Sequence, residues 1–208
     1  MLLLWTAICF LSGSFMFSYW LGLAANRNLK EVGDGNPGAL NLWKAAGYTY
    51  GLTGIALDFL KGYVPVLLMC QTETGAGGGY GLVLPAAAAV IGHAFSPFMG
   101  WRGGKAIAVT FGVWSALTGF AATLAYAIIL GVLLAVARGA NKGKPTSSEA
   151  DGFQVVLGML LLSIFLIVRG YTPAILLFWL VNLLLLAFTH RHEIARFLSR
   201  RFAKKGAR

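Results

Sequence analysis

Charge is what this sequence lacks. Only 12% of its 208 residues are Asp, Glu, Lys or Arg, and just 7 of them are acidic. A water-soluble domain carries about 25% charged residues, so a soluble fold is excluded. Cysteine is almost as scarce. Cys9 and Cys70 both lie in apolar runs, with no CxxC and no Cys/His metal spacing. That excludes a disulfide framework and a zinc site, and no metal or cofactor is expected. The GxxxxGK[ST] spacing of a P-loop is also absent. No basic residue precedes the first apolar run, and the first charge is Arg27. A retained membrane helix is therefore expected there, rather than a cleaved signal peptide.

What is abundant is hydrocarbon, with 58% of residues hydrophobic. Apolar runs cover residues 2–25, 48–70, 80–98, 106–137, 153–168 and 174–188. Polar or tiny-residue joints separate them, such as QTETGAGGG at 71–79 and RGYTP at 169–173. The first run would reach about 36 Å as one helix, enough for a hydrocarbon core of about 30 Å. The fourth would reach about 48 Å, too long for one simple span. Gly112, Thr118 and Gly119 offer a place to break it.

Charge placement decides the topology. Of the 17 basic residues, all but Lys61 and Arg169 fall in four clusters: Arg27 to Lys44, Arg102 and Lys105, Arg138 to Lys144, and the tail from Arg191. If the fourth run breaks and returns, those clusters share one membrane face, as the positive-inside rule prefers. The expected fold is an all-α polytopic membrane protein of about seven transmembrane helices. Its N-terminus is outside and its C-terminus cytoplasmic. Residues 1–208 form one membrane-embedded domain, expected to be monomeric in the bilayer. The tail, 192–208, spaces Ile194, Phe197, Leu198 and Phe202 like an amphipathic helix on anionic lipid. The net charge of +10 needs no nucleic-acid partner to explain it.

Under this topology four polar segments gather on the cytoplasmic face: GDGNPGALN at 33–41, GWRGGK at 100–105, the loop 141–148, and His190-Arg191-His192. Gly103-Gly104-Lys105 before a helix N-terminus brings bare backbone N–H groups and an ammonium toward an anion. A tight turn with a basic anchor would have the same composition. In the first segment, Asn36 and Asn41 carry amide donors, and Gly33, Gly35 and Gly38 let backbone wrap a head group. Asp58 and Lys61 are three apart inside an apolar run, so they share a helix face and neutralise each other. We read them as a structural pair. Pro65, four residues on, leaves the Lys61 carbonyl without its helical partner. His93 reads as a packing histidine or a ligand, and His190 as a boundary anchor, a general base or a head-group ligand.

The series GDGNPGALNLWK, ALDFLKG, GHAFSPFMGWRGGKAIA and HRHEIARF, in that order, resembles the bacterial acyl-phosphate:glycerol-3-phosphate acyltransferases, often called the PlsY family. The resemblance runs from Gly33 to Phe197. It implies seven membrane helices and a site at the cytoplasmic surface of the bacterial plasma membrane. It also implies transfer of an acyl chain from acyl phosphate to glycerol 3-phosphate in phospholipid synthesis, giving lysophosphatidic acid and phosphate without metal or CoA. Such an enzyme needs no nucleophilic Ser or Cys, because the donor is already an activated anhydride. Carried onto this chain, His190, Lys105 and Asp34 take the catalytic positions. Gly33, Gly35, Asn36, Gly38, Asn41, Lys44, His93, Arg102, Gly103, Gly104 and Glu193 take the substrate- and phosphate-binding ones. The family pattern has Ser where this chain has Asp34, Arg at Lys44, Gly at Ala106 and Asn at Glu193. Its third-motif serine has Thr146, Ser147 and Ser148 as nearest candidates here. A non-catalytic or acceptor-switched membrane relative, binding lipid or a partner, is the alternative.

Overall fold

Apolar runs in a lipid-like environment must bond their own backbone, and here every run becomes helix. The computed structural model of the protein describes residues 1–74 and 79–206, with side chains described through residue 200; residues 75–78 of the 71–79 joint and the Phe202 side chain lie outside the described residues. Among the described residues ten α-helices follow in order: α1 Leu2–Ser14, α2 Phe17–Ala24, α3 Ala39–Ala46, α4 Tyr48–Cys70, α5 Val83–Ala94, α6 Ile107–Thr118, α7 Ala121–Ala140, α8 Ser148–Val168, α9 Pro173–Thr189 and α10 Arg191–Gly206.

Two long runs are broken. The first divides at Phe15 and Met16 into α1 and α2, where one continuous helix was expected. The fourth divides at Gly119 and Phe120, both left-handed at φ 55° and 69°, which no α-helix can continue through. The freed Ala122 N–H donates to the Thr118 hydroxyl at 3.1 Å, so the break leaves that donor satisfied. Among the described residues, 5 helices are long and apolar enough to cross a membrane, and 6 if α9 and α10, bent by 67°, count as one. α6, with 12 residues, reaches only about 18 Å and does not cross alone. The expected seven spans are thus five or six by length, because α6 is short and α9 turns at His190.

The core sits where α1 packs on α5 and α4 on α6, with α7 and α9 against α8. Close backbone approach makes these contacts. A methyl at Gly92 would overlap the Phe10 carbonyl, and one at Gly112 the Phe59 carbonyl. Buried polar hooks join the other helices. The Trp114 indole donates to Asn182 at 2.9 Å, Asn182 donates to Thr110 at 3.2 Å, and the Tyr126 hydroxyl donates to the Val155 carbonyl at 2.8 Å. With lipid outside, such bonds and tight packing must do what hydrophobic exclusion does in water.

Candidate functional site

The site is set by the break in the first span. Lys61, buried on α4, pairs with Asp58 at 2.7 Å and donates to the Phe15 carbonyl at 2.5 Å, inside the break. Ser18 donates to the other Asp58 oxygen at 2.5 Å. Pro65 removes the helical donor from the Lys61 carbonyl, and the Ser12 hydroxyl supplies it from α1 at 2.8 Å. The Phe15 carbonyl at the break and the Lys61 carbonyl freed by the proline both find partners, and the Asp58–Lys61 pair neutralises itself, so two charges are tolerated at depth. Past the break, α2 leads into the loop ahead of α3.

That loop wraps around one amide. The Asn41 side chain, on the first turn of α3, donates to the Val32 carbonyl at 2.8 Å, to Asp34 Oδ1 at 2.8 Å and to the Asn36 carbonyl at 3.0 Å. The same Asp34 oxygen accepts from the Asn36 N–H at 3.2 Å. Gly33 is required here: its φ is +60°, and a Cβ would press on the Asn41 amide oxygen. The Asn41 amide was expected to face a head group. It is instead spent inside the loop, because three acceptors converge on it.

The second glycine segment meets the first at Lys105. Its ammonium lies 2.5 Å from Asp34 Oδ2 and 3.1 Å from Glu193 Oε1. Gly103 and Gly104 donate their N–H groups to the Ala94 and His93 carbonyls, both at 3.0 Å. Those donors were expected to face an anion; they tie the segment to the end of α5 instead. The glycines are small for a packing reason. A Cβ on Gly103 would overlap the His93 carbonyl, and one on Gly104 the His93 ring. His93 is itself buried, and its Nδ1 has no partner among the described residues.

Two cavities meet here. The polar one, about 580 Å³, is lined by Lys30, Asp34, Arg102, Lys105, Thr189 and Arg191 among others, with Phe95, Trp101 and Phe188 on its walls. The apolar one, about 430 Å³, runs along α3, α4 and α6 past Leu40, Trp43, Ile55, Phe59, Ile107 and Phe111. Asn36 and Lys105 line both. Both volumes suit small-molecule ligands. The polar cavity has four cations against the single carboxylate of Asp34. Partial burial raises the Asp34 carboxyl, but the Lys105 ammonium and the Asn41 and Asn36 donors outweigh it and bring it to about 2. Burial lowers the His190 imidazole below its ordinary range. The arrangement can hold an anionic head group beside the end of a hydrocarbon chain.

Comparison with known proteins decides the family. A model described as glycerol-3-phosphate acyltransferase matches residues 3–200. The chain belongs to the glycerol-3-phosphate acyltransferase family. It is 36% identical to glycerol-3-phosphate acyltransferase 1 of Thermotoga maritima over 195 residues, covering 92% of this chain and 95% of the relative. It is 31% identical to the Aquifex aeolicus glycerol-3-phosphate acyltransferase over 192 residues, covering 92% and 93%. The fold is similar to crystal structures of PlsY, an integral membrane glycerol 3-phosphate acyltransferase. The TM-score is 0.80 for the lysophosphatidic acid form, with 28% identity over 96% of this chain and 93% of that one. For the glycerol 3-phosphate form it is 0.78.

Within this glycerol-3-phosphate acyltransferase fold, the residues singled out from sequence scatter over distinct places. Gly35, Asn36, Asp34, Arg102, Gly103, Gly104 and Lys105 line the polar cavity, and Gly38 and His93 the apolar one. Lys44 is exposed on the last turn of α3 and lines neither. His190 is 1% exposed and lines neither. Its Nδ1 bonds the Leu186 carbonyl at 2.9 Å and its Nε2 has no partner among the described residues. The ring ties into the α9–α10 corner through that bond, and α8 lies against it at Gly152. Glu193 sits behind Lys105. Ser147 caps α8, accepting from the Ala150 N–H at 3.3 Å, and Thr146 donates to Asp151 at 2.5 Å. Neither they nor Ser148 lines either of these two cavities. Sequence reasoning missed Lys30, Thr189 and Arg191 as lining residues, and the whole apolar wall. Lys30 and Arg191 had been counted only as orientation charges; the apolar wall looks like any other membrane segment.

Proposed function

We propose that this chain transfers an acyl chain from acyl phosphate to the 1-hydroxyl of glycerol 3-phosphate, giving lysophosphatidic acid and phosphate for phospholipid synthesis. The observation that carries this reading is the pair of cavities meeting at Asn36 and Lys105. One suits a hydrocarbon chain and the other suits phosphates, so the reacting carbonyl belongs at their junction. The acceptor oxygen attacks the acyl carbon. The bond from that carbon to the phosphate oxygen breaks, and phosphate leaves with the electron pair. The hydroxyl proton passes to a phosphate oxygen or to water. Lys105 stands where charge develops, and Lys30, Arg102 and Arg191 hold the anionic groups in place. Asp34 and Asn41 keep the loop in shape. Asp58 and Lys61 set the break that leads into it.

We place the site at the cytoplasmic face of a bacterial plasma membrane, with the N-terminus outside. The basic side chains around the polar cavity support that orientation. We infer a single membrane domain over residues 1–208, since the two cavities draw their lining from segments as far apart as Lys30 and Arg191, and we propose that it acts as a monomer.

The test, on the protein in a lipid mesophase with and without glycerol 3-phosphate, is phosphate release from palmitoyl phosphate and, for palmitoyl-CoA as the alternative donor, release of the free CoA thiol. Acceptor-dependent release, lost in Lys105→Ala and absent with palmitoyl-CoA, is the expected result. Release with other acceptors only would mean a switched acceptor. No release under conditions that support a known family enzyme would make the chain a non-catalytic relative.

A further inference from the structure

Lys105 is held from two distant parts of the chain. Asp34, in the loop before α3, approaches its ammonium to 2.5 Å, and Glu193, on the first turn of α10, to 3.1 Å. An ammonium has three N–H donors. Two carboxylates engage two of them, which leaves one direction for a ligand at the junction of the cavities. The carboxylates differ in what they can touch. Asp34 lines the polar cavity, whereas the Glu193 side chain is 8% exposed and lines neither. Glu193 therefore does not touch an anion in either cavity; the group it touches there is Lys105.

Glu193 is firmly placed. Gly152 of α8 lies so close that a Cβ there would press on the Glu193 stem, and the His190 ring lies on the same side. Arg196, one turn on, is 3.7 Å from the oxygen that faces Lys105 and is largely exposed, so it shares that oxygen only loosely. Burying a carboxylate costs free energy that a neutral acceptor of the same shape would avoid. Its charge also opposes any anion brought to Lys105. The three cations Lys30, Arg102 and Arg191 supply attraction elsewhere in the cavity. Lys105 has one positive charge against two negative ones, so it aims at an anion without holding it tightly.

We propose that Glu193, with Asp34, is a positioning residue for Lys105: the two carboxylates fix the direction of the ammonium and weaken its grip on the phosphate released by the reaction. The inference rests on Lys105 being an anion ligand, as in the proposed function. Its consequence is opposite to that of a scaffold residue. Removing the Glu193 charge makes product phosphate bind more tightly.

The experiment measures inhibition by inorganic phosphate at constant ionic strength, in the full-length protein in a lipid mesophase. The variants are Glu193→Gln, Lys105→Ala and the two combined. Glu193→Gln keeps an oxygen for Lys105 and is expected to lower the inhibition constant about fivefold, as relief of a short-range charge pair gives. Lys105→Ala is expected to raise it, and in that background Glu193→Gln changes it by less than about twofold. The phosphate-dependent rise in melting temperature reports the same constants for any variant that does not turn over. Asp34→Asn is the second variant, expected to act in the same direction. An inhibition constant unchanged or raised in Glu193→Gln, or in Asp34→Asn where Glu193→Gln does not fold, would overturn the proposal. A constant unaffected by Lys105→Ala would overturn the reading of Lys105 on which it stands.

Discussion

Asn41→Ala removes one amide nitrogen that serves three acceptors: the Val32 and Asn36 carbonyls and the Asp34 carboxylate. The residue is 2% exposed, so water does not replace it without opening the loop. A neutral bond contributes about 1 kcal/mol and one to a charged acceptor about 1.5–3 kcal/mol. With two amide hydrogens to share, the loss is about 3 kcal/mol. The loop lies outside the helix core, and such segments open without unfolding the whole protein. The cost should then appear as displaced Asp34 and Lys105, with kcat/KM falling about 100-fold. A global loss of ~3 kcal/mol would lower Tm by roughly 6–12 °C in a chain of this size. A local one lowers it by no more than a few degrees. Asn41→Asp keeps the shape but turns a carboxylate toward Asp34, and should be at least as damaging. The assay is palmitoyl phosphate turnover beside thermal unfolding. Activity within about threefold of the parent at unchanged Tm would refute the argument that this amide sets the site.

Gly103→Ala forces a methyl onto the His93 carbonyl. It should cost about 1–3 kcal/mol and raise KM, and steady-state kinetics with a thermal melt would check it. Ser12→Ala strips the substitute donor from the Lys61 carbonyl. A loss of about 1 kcal/mol is expected in a detergent unfolding titration, and Pro65→Ala in the same background should recover part of it. His190 is buried neutral, its pKa lowered from 6.5 chiefly by burial. Its stability contribution is full above pH 6.5 and drains away as pH falls toward the lowered value, since only the unfolded chain gains the proton easily. A pH series of Tm should show that slope, and His190→Gln should flatten it. Asp34 acts separately: its pair with Lys105 is lost only as pH drops from 3.8 toward about 2.

Several features were legible before any coordinates. Lipid forces an apolar run to satisfy its own backbone, so each of the six runs announced helix. The break near Thr118 and Gly119 followed from length, since about 48 Å does not fit a bilayer as one simple span, together with the glycines there and the placement of the basic clusters. Pro65 marked an orphaned carbonyl at Lys61 by the geometry of the helix. The order of the polar segments carried the family resemblance. Hidden was the break at Phe15 and Met16, two residues that give no sign of it and where a lysine from another helix stabilises it.

The site divided in the same way. The family resemblance named Asp34, Asn41, Gly103, Gly104, Lys105, His190 and Glu193 as a set, but not which groups each one touches. Asn41 and the two glycines read as ligand donors because their groups were free in the one-dimensional chain. Folding brought acceptors to them, and those bonds form inside the protein. Asp34 and Glu193 read as separate negative charges, far apart in sequence. Only the packing of α10 on α8 and of the loop on α3 brought both to one ammonium. Sequence by itself thus determined the class, the helices and the family, because those depend on local periodicity, length and residue type. Tertiary structure decided which donors remain free, because that depends on where distant acceptors come to rest.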